Sequence, residues 1–166
     1  IKSAMLLNPY SVSVALTDAQ TELARENPEQ MFVTVFAAIL DVTNGKLDYV
    51  NAGHDAPYVR VPGNAVTRLQ PAAGPPLCVM DDFSYDSSSY QMVAGEWLCG
   101  MTDGVTEATN KQGAFFGFDR LHEIFNDANL APVPGEIVNV VKARVHAFAE
   151  GTEPADDITL LSVRWG

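Results

Sequence analysis

Positive charge is scarce in this sequence: Lys and Arg total 10 against 21 Asp and Glu in 166 residues, a formal net charge of −11. A surface of that sign repels polyanions, which argues against duplex nucleic acid and anionic membranes as partners. It repels a phosphate-bearing substrate too, unless bound metal ions reverse the field locally. Cysteine is equally sparse. Cys78 and Cys99 are the only two, both in apolar surroundings and without CxxC or Cys/His spacing. A zinc site and a disulfide framework are therefore unsupported, and two buried thiols in a reduced cytosol are expected. No hydrophobic run is long enough to cross a membrane: the longest, Met31 to Leu40, includes Thr34 and falls well short of the ~20 residues a spanning helix needs. No secretory signal is visible. GxSxG, GxxxxGKS/T, GxGxxG and HExxH are all missing, so covalent serine catalysis and nucleotide-loop chemistry lose their best markers.

What is present describes a folded chain. Hydrophobic residues make up 47% and charged residues 19%, too apolar for the disordered class, and the length is that of one domain. Residues 1 to 26 predict two helical pieces interrupted at Asn8-Pro9, with Leu16, Ala19 and Leu23 on one face. Met31 to Leu40 is apolar on both parities and reads as a strand buried on both faces. Asn44-Gly45 then predicts a tight hairpin returning through Lys46 to Val50. Further strands are expected at Ala56 to Val61, Val66 to Leu69, Phe83 to Met92 and Glu96 to Met101, with the breaker-rich stretch Pro71 to Pro76 between them. Helices follow at Asp119 to Ala128 and Pro134 to Glu150, the second with Pro at its start and the stripe Ile137, Val141, Val145, Phe148, read as core packing. Ile158 to Trp165 closes the chain as another buried strand. Short antiparallel strands with segregated helices indicate an α+β domain of two sheets flanked by helices.

The chemistry-bearing residues are carboxylates beside turns. Thr102-Asp103-Gly104 follows one apolar strand, and Asp156-Asp157 opens the last. Hard cations such as Mg²⁺ and Mn²⁺ take oxygen ligands, and a carboxylate followed by Gly leaves room for an ion and its waters. The two segments are far apart in sequence, so only the fold could join them, and by spacing alone each is usually an ordinary turn or solvated loop end. Asn51-Ala52-Gly53-His54 is the other unusual stretch, with Gly permitting close backbone approach and His54 at a strand end. His122 and His146 fall on the late helices and read as surface or packing residues. No catalytic triad can be assembled.

Taken in order, MFVTVFAAILDVTNGKLDYVNAGHDAPYV, AAGPPLCVM, LCGMTDGVTEATN, FFGFDRL and ADDITLLSVR resemble the SpoIIE-like branch of the PPM-type, metal-dependent Ser/Thr protein phosphatases, from about Met31 to Arg164. The resemblance implies an αββα sandwich of two mainly antiparallel sheets and a binuclear Mn²⁺ or Mg²⁺ centre whose bound water attacks phosphorus directly. Asp103 matches the family's metal-ligating aspartate of the TDG motif, and Asp156 its partner in the last motif, with Asp157 the adjacent, second choice. His54 lies in the signature near the site. Thr102, Gly104 and Glu107 shape the turn. Departures are Cys78, where the family often has Gly, and Phe118, where an acidic residue is common.

The family also carries, before the region seen here, an Asp-rich strand and a GDVSGKG-like segment that bridges both metals. Neither is in this sequence, which opens without an initiator Met inside an apolar segment. It therefore reads as residues 1–166 of a phosphatase domain lacking its N-terminal strands and first metal motif. The implied partners are a phosphorylated regulatory protein such as an anti-sigma-factor antagonist and an upstream sensor or receiver domain, with a homodimer among the assemblies allowed and a cytoplasmic location. Two rival readings are a non-catalytic interaction module of the same fold and a phosphohydrolase acting on small molecules.

Overall fold

The computed structural model describes residues 1–70, 74–153 and 156–166. Two compact units interleave along the chain: Ile1–Ala56 with Gln70–Met92, and Pro57–Leu69 with Val93–Gly166.

The first unit begins with helices α1 (Lys2–Leu7) and α2 (Val12–Arg25). The Asn8-Pro9 break is where sequence placed it. The Asn8 backbone N–H and its side-chain amide both reach the Ala4 carbonyl, closing α1, and the Ser11 hydroxyl accepts the Val14 N–H to open α2. Strands β1 (Val35–Leu40), β2 (Lys46–Ala52) and β5 (Ser88–Gln91) form an antiparallel sheet in the order β1-β2-β5. The β1-β2 hairpin turns at Gly45, whose φ of 78° is the left-handed conformation this turn requires. Asp41 organises the turn by accepting from the Thr43 hydroxyl and N–H and the Asn44 amide. Those hydrogen bonds, the Thr43 hydroxyl foremost, hold its carboxyl below the usual range. Val12 and Leu16 of α2 pack with Ala37, Val50, Ala52, Leu77 and Tyr85 in one apolar cluster.

Two sequence expectations need correction here. Met31 to Thr34 does not continue β1; Met31 and Phe32 are each 64% exposed, and Val33 makes a single bridge to Leu77. Nor is β1 buried on both faces, since Ala37 alone is fully covered. An apolar run signals strand and burial together, and here both were overread. Leu23, on the same face of α2 as the buried Leu16 and Ala19, is 40% exposed near the helix end.

The second unit contains β3 (Tyr58–Arg60), β4 (Thr67–Arg68), β6 (Trp97–Met101) and β7 (Leu160–Arg164) in the antiparallel order β4-β3-β6-β7. It also contains three helices, α3 (Asp103–Thr106), α4 (Gly117–Asn126) and α5 (Pro134–Phe148). The stripe on α5 does pack in the core: Ile137, Val141 and Val145 are buried with Leu121, Phe125, Phe116 and Trp97. Burial of each large apolar side chain stabilises by about 1.5–3 kcal/mol, so this cluster fixes α4 and α5 on the sheet. β7 is not the buried strand expected; it alternates half-buried and exposed positions, with Leu161 61% exposed. The breaker-rich stretch falls partly on residues 71–73, outside the described ones. Among the described residues, no helix is long and apolar enough to cross a membrane.

The two thiols differ. Cys99 is fully buried, and that burial pushes its pKa up to about 12, whereas Cys78 is half-buried. Because the thiolate is the reactive form, a disulfide-exchange reagent at about pH 8 should label Cys78 in the native protein and reach Cys99 only in denaturant. Mass mapping of the labelled peptides checks this, and rapid native labelling of Cys99 would contradict its burial.

Cys78 has φ 67°, in the left-handed region that favours glycine, which accounts for glycine being common there in the resembled family. Its N–H donates to the Oε1 of buried Gln20, whose amide donates in turn to the Met80 carbonyl, both at 2.7 Å. Two hydrogen bonds to one buried side chain hold this strained turn in place.

Candidate metal centre

Strand β6 ends at Met101, and the chain turns at once into α3, a single helical turn where sequence reading expected only an ordinary turn. Thr102 sits at the junction. Its N–H donates to the Thr159 carbonyl at 3.1 Å. Its hydroxyl donates to the Asp157 carbonyl and accepts the Thr159 N–H, both at 3.0 Å. These three bonds lace the segment bearing Asp103 to the segment bearing Asp156 and Asp157, a sequence separation of 55 residues between Thr102 and Asp157.

Gly104 makes the approach close. A Cβ there would lie 2.5 Å from the Asp157 carbonyl oxygen and 3.4 Å from that of Asp156, so only the absence of a side chain permits the contact. Asp103 is the first residue of α3; its carbonyl accepts the Glu107 N–H at 2.8 Å and the Thr106 hydroxyl at 3.1 Å. Asp156 accepts the Asp157 N–H on Oδ1 at 2.7 Å. All three aspartates are exposed.

The structure thus lays the segment that carries Asp103 against the segment that carries Asp156 and Asp157 in the second unit, while His54 belongs to the first. The His54 N–H donates to the buried Asn51 side chain at 2.7 Å, and its Nδ1 lies 3.2 Å from the Thr34 hydroxyl. Gly53, at φ 70°, lies so close to Pro76 that a Cβ would meet that ring at 2.6 Å. Asn51 and Gly53 therefore have structural work: one ties the turn, the other lets Pro76 approach. Thr102 and Gly104 shape their turn as expected. Glu107 also lines a cavity of about 200 Å³ with Val145, His146, Ala149, Glu153 and Asp156. Phe118, the other departure, faces Arg68, whose guanidinium stands 4.7 Å from its ring centre, an attraction an acidic residue would replace by ion pairing.

In donor chemistry the three aspartates fit a hard divalent cation, since they offer oxygen alone. Among the described residues, however, no group of three His, Cys, Asp or Glu is gathered closely enough to hold one ion. A family model described as Stage II sporulation protein E (SpoIIE) matches residues 2–166. The chain belongs to the SpoIIE family. Over 133 residues, 80% of its length, it is 35% identical to Protein IcfG of Synechocystis sp.. Over 105 residues, 62% of its length, it is 30% identical to the phosphoserine phosphatase RsbP of Bacillus subtilis. The aligned parts are 20% and 26% of those proteins, so this SpoIIE-family chain spans about a fifth to a quarter of the curated relatives it matches. In structure it resembles the PP2C phosphatase domain of SpoIIE from Bacillus subtilis, solved with a fragment of its regulatory domain. The TM-score is 0.79 at 20% identity, covering 98% of this chain and 47% of that one. The α+β fold with two antiparallel sheets and flanking helices is the one expected.

Two residues of α5 also line this region: His146, read from sequence as a surface or packing residue, and Lys142, which the sequence reading did not single out. Lys142 and His146 of α5 share an open cleft with Asp156 and Asp157. Their spacing of four was visible, but it lay beside a stripe that explained the helix by core packing.

Proposed function

We propose that this chain is the catalytic domain of a metal-dependent protein phosphatase that hydrolyses a phosphoserine or phosphothreonine on a regulatory protein of the anti-sigma-factor-antagonist type. The observation that carries the reading is the lacing of Thr102 to Asp157 and Thr159, which sets the two aspartate motifs side by side. Membership of the SpoIIE family and likeness to a phosphoserine phosphatase support it.

In this reading Asp103 and Asp156 are metal ligands, Asp157 is the second choice beside Asp156, and His54 stands near the site. A pair of Mn²⁺ or Mg²⁺ ions held there would lower the pKa of water toward neutrality and balance the phosphate charge. The protein's own part is to hold the carboxylates. Gly104 gives the two loops their close approach, and the Thr102 hydroxyl fixes their register. A phosphorylated side chain carries about −1.5 to −2 charges, which a chain of net charge −11 would otherwise repel. The domain works in the cytoplasm under an upstream sensor or receiver domain, either alone or as a homodimer.

The test is phosphate release from a phosphoserine regulator by the full-length protein. Turnover is expected with Mn²⁺, a fall to background with chelator, and recovery on adding the metal back; activity unchanged by chelation would overturn the metal role. A second reading is a phosphatase-fold module that binds its partner without turnover, in keeping with the finding that no three His, Cys, Asp or Glu are grouped to hold an ion among the described residues. Stable binding of the phosphoprotein with no phosphate release would select it.

A further inference from the structure

Val33 and Leu77 exchange N–H···O bonds of 3.2 and 2.9 Å, which join two stretches of the first unit side by side in antiparallel directions. Next to that pair along the chain, four large apolar side chains stand in solvent: Met31 and Phe32 on one stretch, Val79 and Met80, 54% and 51% exposed, on the other. Their main chain is nonetheless fixed. The Asn27 side chain donates to the Met31 carbonyl and accepts its N–H, at 2.7 and 2.8 Å, and Gln20 holds Cys78 and Met80. Gln30, Cys78 and Asp82, the three non-glycine residues at positive φ among the described ones, all lie on these two stretches. Backbone of that kind is uncommon outside glycine and persists where surrounding structure shapes a clamp or a binding surface. Exposed apolar side chains on a fixed, strained frame mark a surface prepared for contact.

We propose that Met31, Phe32, Val79 and Met80 form a docking face for an amphipathic segment of a partner protein, apolar on the side it presents and flanked by Lys or Arg. Charge decides the occupant. Residues 26–33 and 76–82 contain no Lys or Arg, and Arg25 is the nearest cation along the chain. They carry Glu26, Glu29, Asp81 and Asp82, all exposed and, among the described residues, without an ion-pair partner. A second copy docking through the same face would set these carboxylates against their own duplicates, and an anionic lipid surface would be repelled by them. A basic flank meets them favourably and steers the encounter, while the apolar centre supplies the hold. Methionine at two of the four positions lets the face fit side chains of differing shape. The proposal goes beyond the phosphatase reading and does not rest on it, because the face lies in the first unit and the three aspartates in the second.

The test uses the full-length protein and a fluorescent peptide of Leu and Lys, patterned so that Leu falls on one face of a helix. Anisotropy should show saturable binding, and Phe32→Ser combined with Met80→Ser should weaken it at least about tenfold. Glu29→Lys combined with Asp81→Lys should weaken it about fivefold at low salt and hardly at all at high salt. Glu123→Lys combined with Glu136→Lys, on α4 and α5 of the second unit, alters the net charge equally and should leave binding within about twofold. Hydrogen peroxide followed by mass mapping gives a second readout. Met31 and Met80 should oxidise ahead of the buried Met92 and Met101, and the peptide should protect them. Absence of binding, equal weakening by the two charge pairs, or unaltered binding after the double Ser substitution would each overturn the proposal. So would slow oxidation of Met31 and Met80 before peptide is added, the result expected if another part of the chain or a second copy covers the face. Thermal melts establish that the variants are folded. Phosphate release with Mn²⁺ tests the phosphatase reading by itself: its failure leaves a positive docking result standing, and turnover with no docking overturns this proposal alone.

Discussion

Asp103→Asn should reduce kcat/KM for a phosphoserine protein by about a hundredfold to a thousandfold, the loss seen when one preorganised electrostatic group is removed from a reaction centre. Asn keeps the shape and one carbonyl oxygen but gives up the negative charge that a hard cation needs. The carbonyl of residue 103, which closes α3 by accepting from Glu107 and Thr106, is main chain and survives the change. Stability should therefore move little, and the expected signature is a large loss of turnover with a melting temperature near that of the wild type. Steady-state kinetics at several Mn²⁺ concentrations, beside a thermal melt, separate the two quantities. Undiminished turnover at all metal concentrations would remove Asp103 from the metal site.

Gly104→Ala should act through structure instead. One methyl group placed 2.5 Å from the Asp157 oxygen and 3.0 Å from its carbonyl carbon meets main chain on the far side, which cannot rotate away as a side chain could. The loops must part, and the three bonds made by Thr102 are the first to stretch. Overpacking of this kind costs about 1–3 kcal/mol, which for a chain of this size lowers the melting temperature by roughly 2–12 °C. Turnover should fall with it, because Asp103 follows Thr102 on one side of the seam and Asp156 precedes Asp157 on the other. A melting temperature within about 1 °C of the wild type would show that the loops accommodate the methyl group. The two substitutions, at adjacent positions, thus separate charge from fit.

Local chemistry was the legible part of this fold. The Asn44-Gly45 turn, the break at Asn8-Pro9 and the stripe on α5 each depend on residues within a few positions of one another, and each stands where the sequence put it. α3 escaped because four residues carry no periodicity, and Asp-Gly reads equally well as a turn. The extent of β1 and the burial of β7 were overread for the opposite reason: apolar composition says that a segment could be buried, not that anything covers it. In the candidate site the identities of Asp103 and Asp156 came from motifs, but their adjacency depends on a threonine hydroxyl meeting the far end of the chain. No local pattern announces such a contact. The left-handed conformation of Cys78 was equally hidden, since the sequence offers a residue that does not advertise it.

The interleaving of the two units bears on how the chain is made. Strands β3 and β4 are synthesised well before the strands that complete their sheet: β3 pairs with β6, and β6 with β7 much further along the chain. At about 5–20 residues per second, the β3-β4 hairpin waits seconds for β6 and several more for β7. Throughout that interval Tyr58 and Val66 lack Trp97, Phe125 and Val141, the neighbours that later bury them. Nascent chains are therefore most exposed to misassembly while the second unit is half made, and a ribosome stalled before Asp157 would leave the Thr102 seam with nothing to close upon.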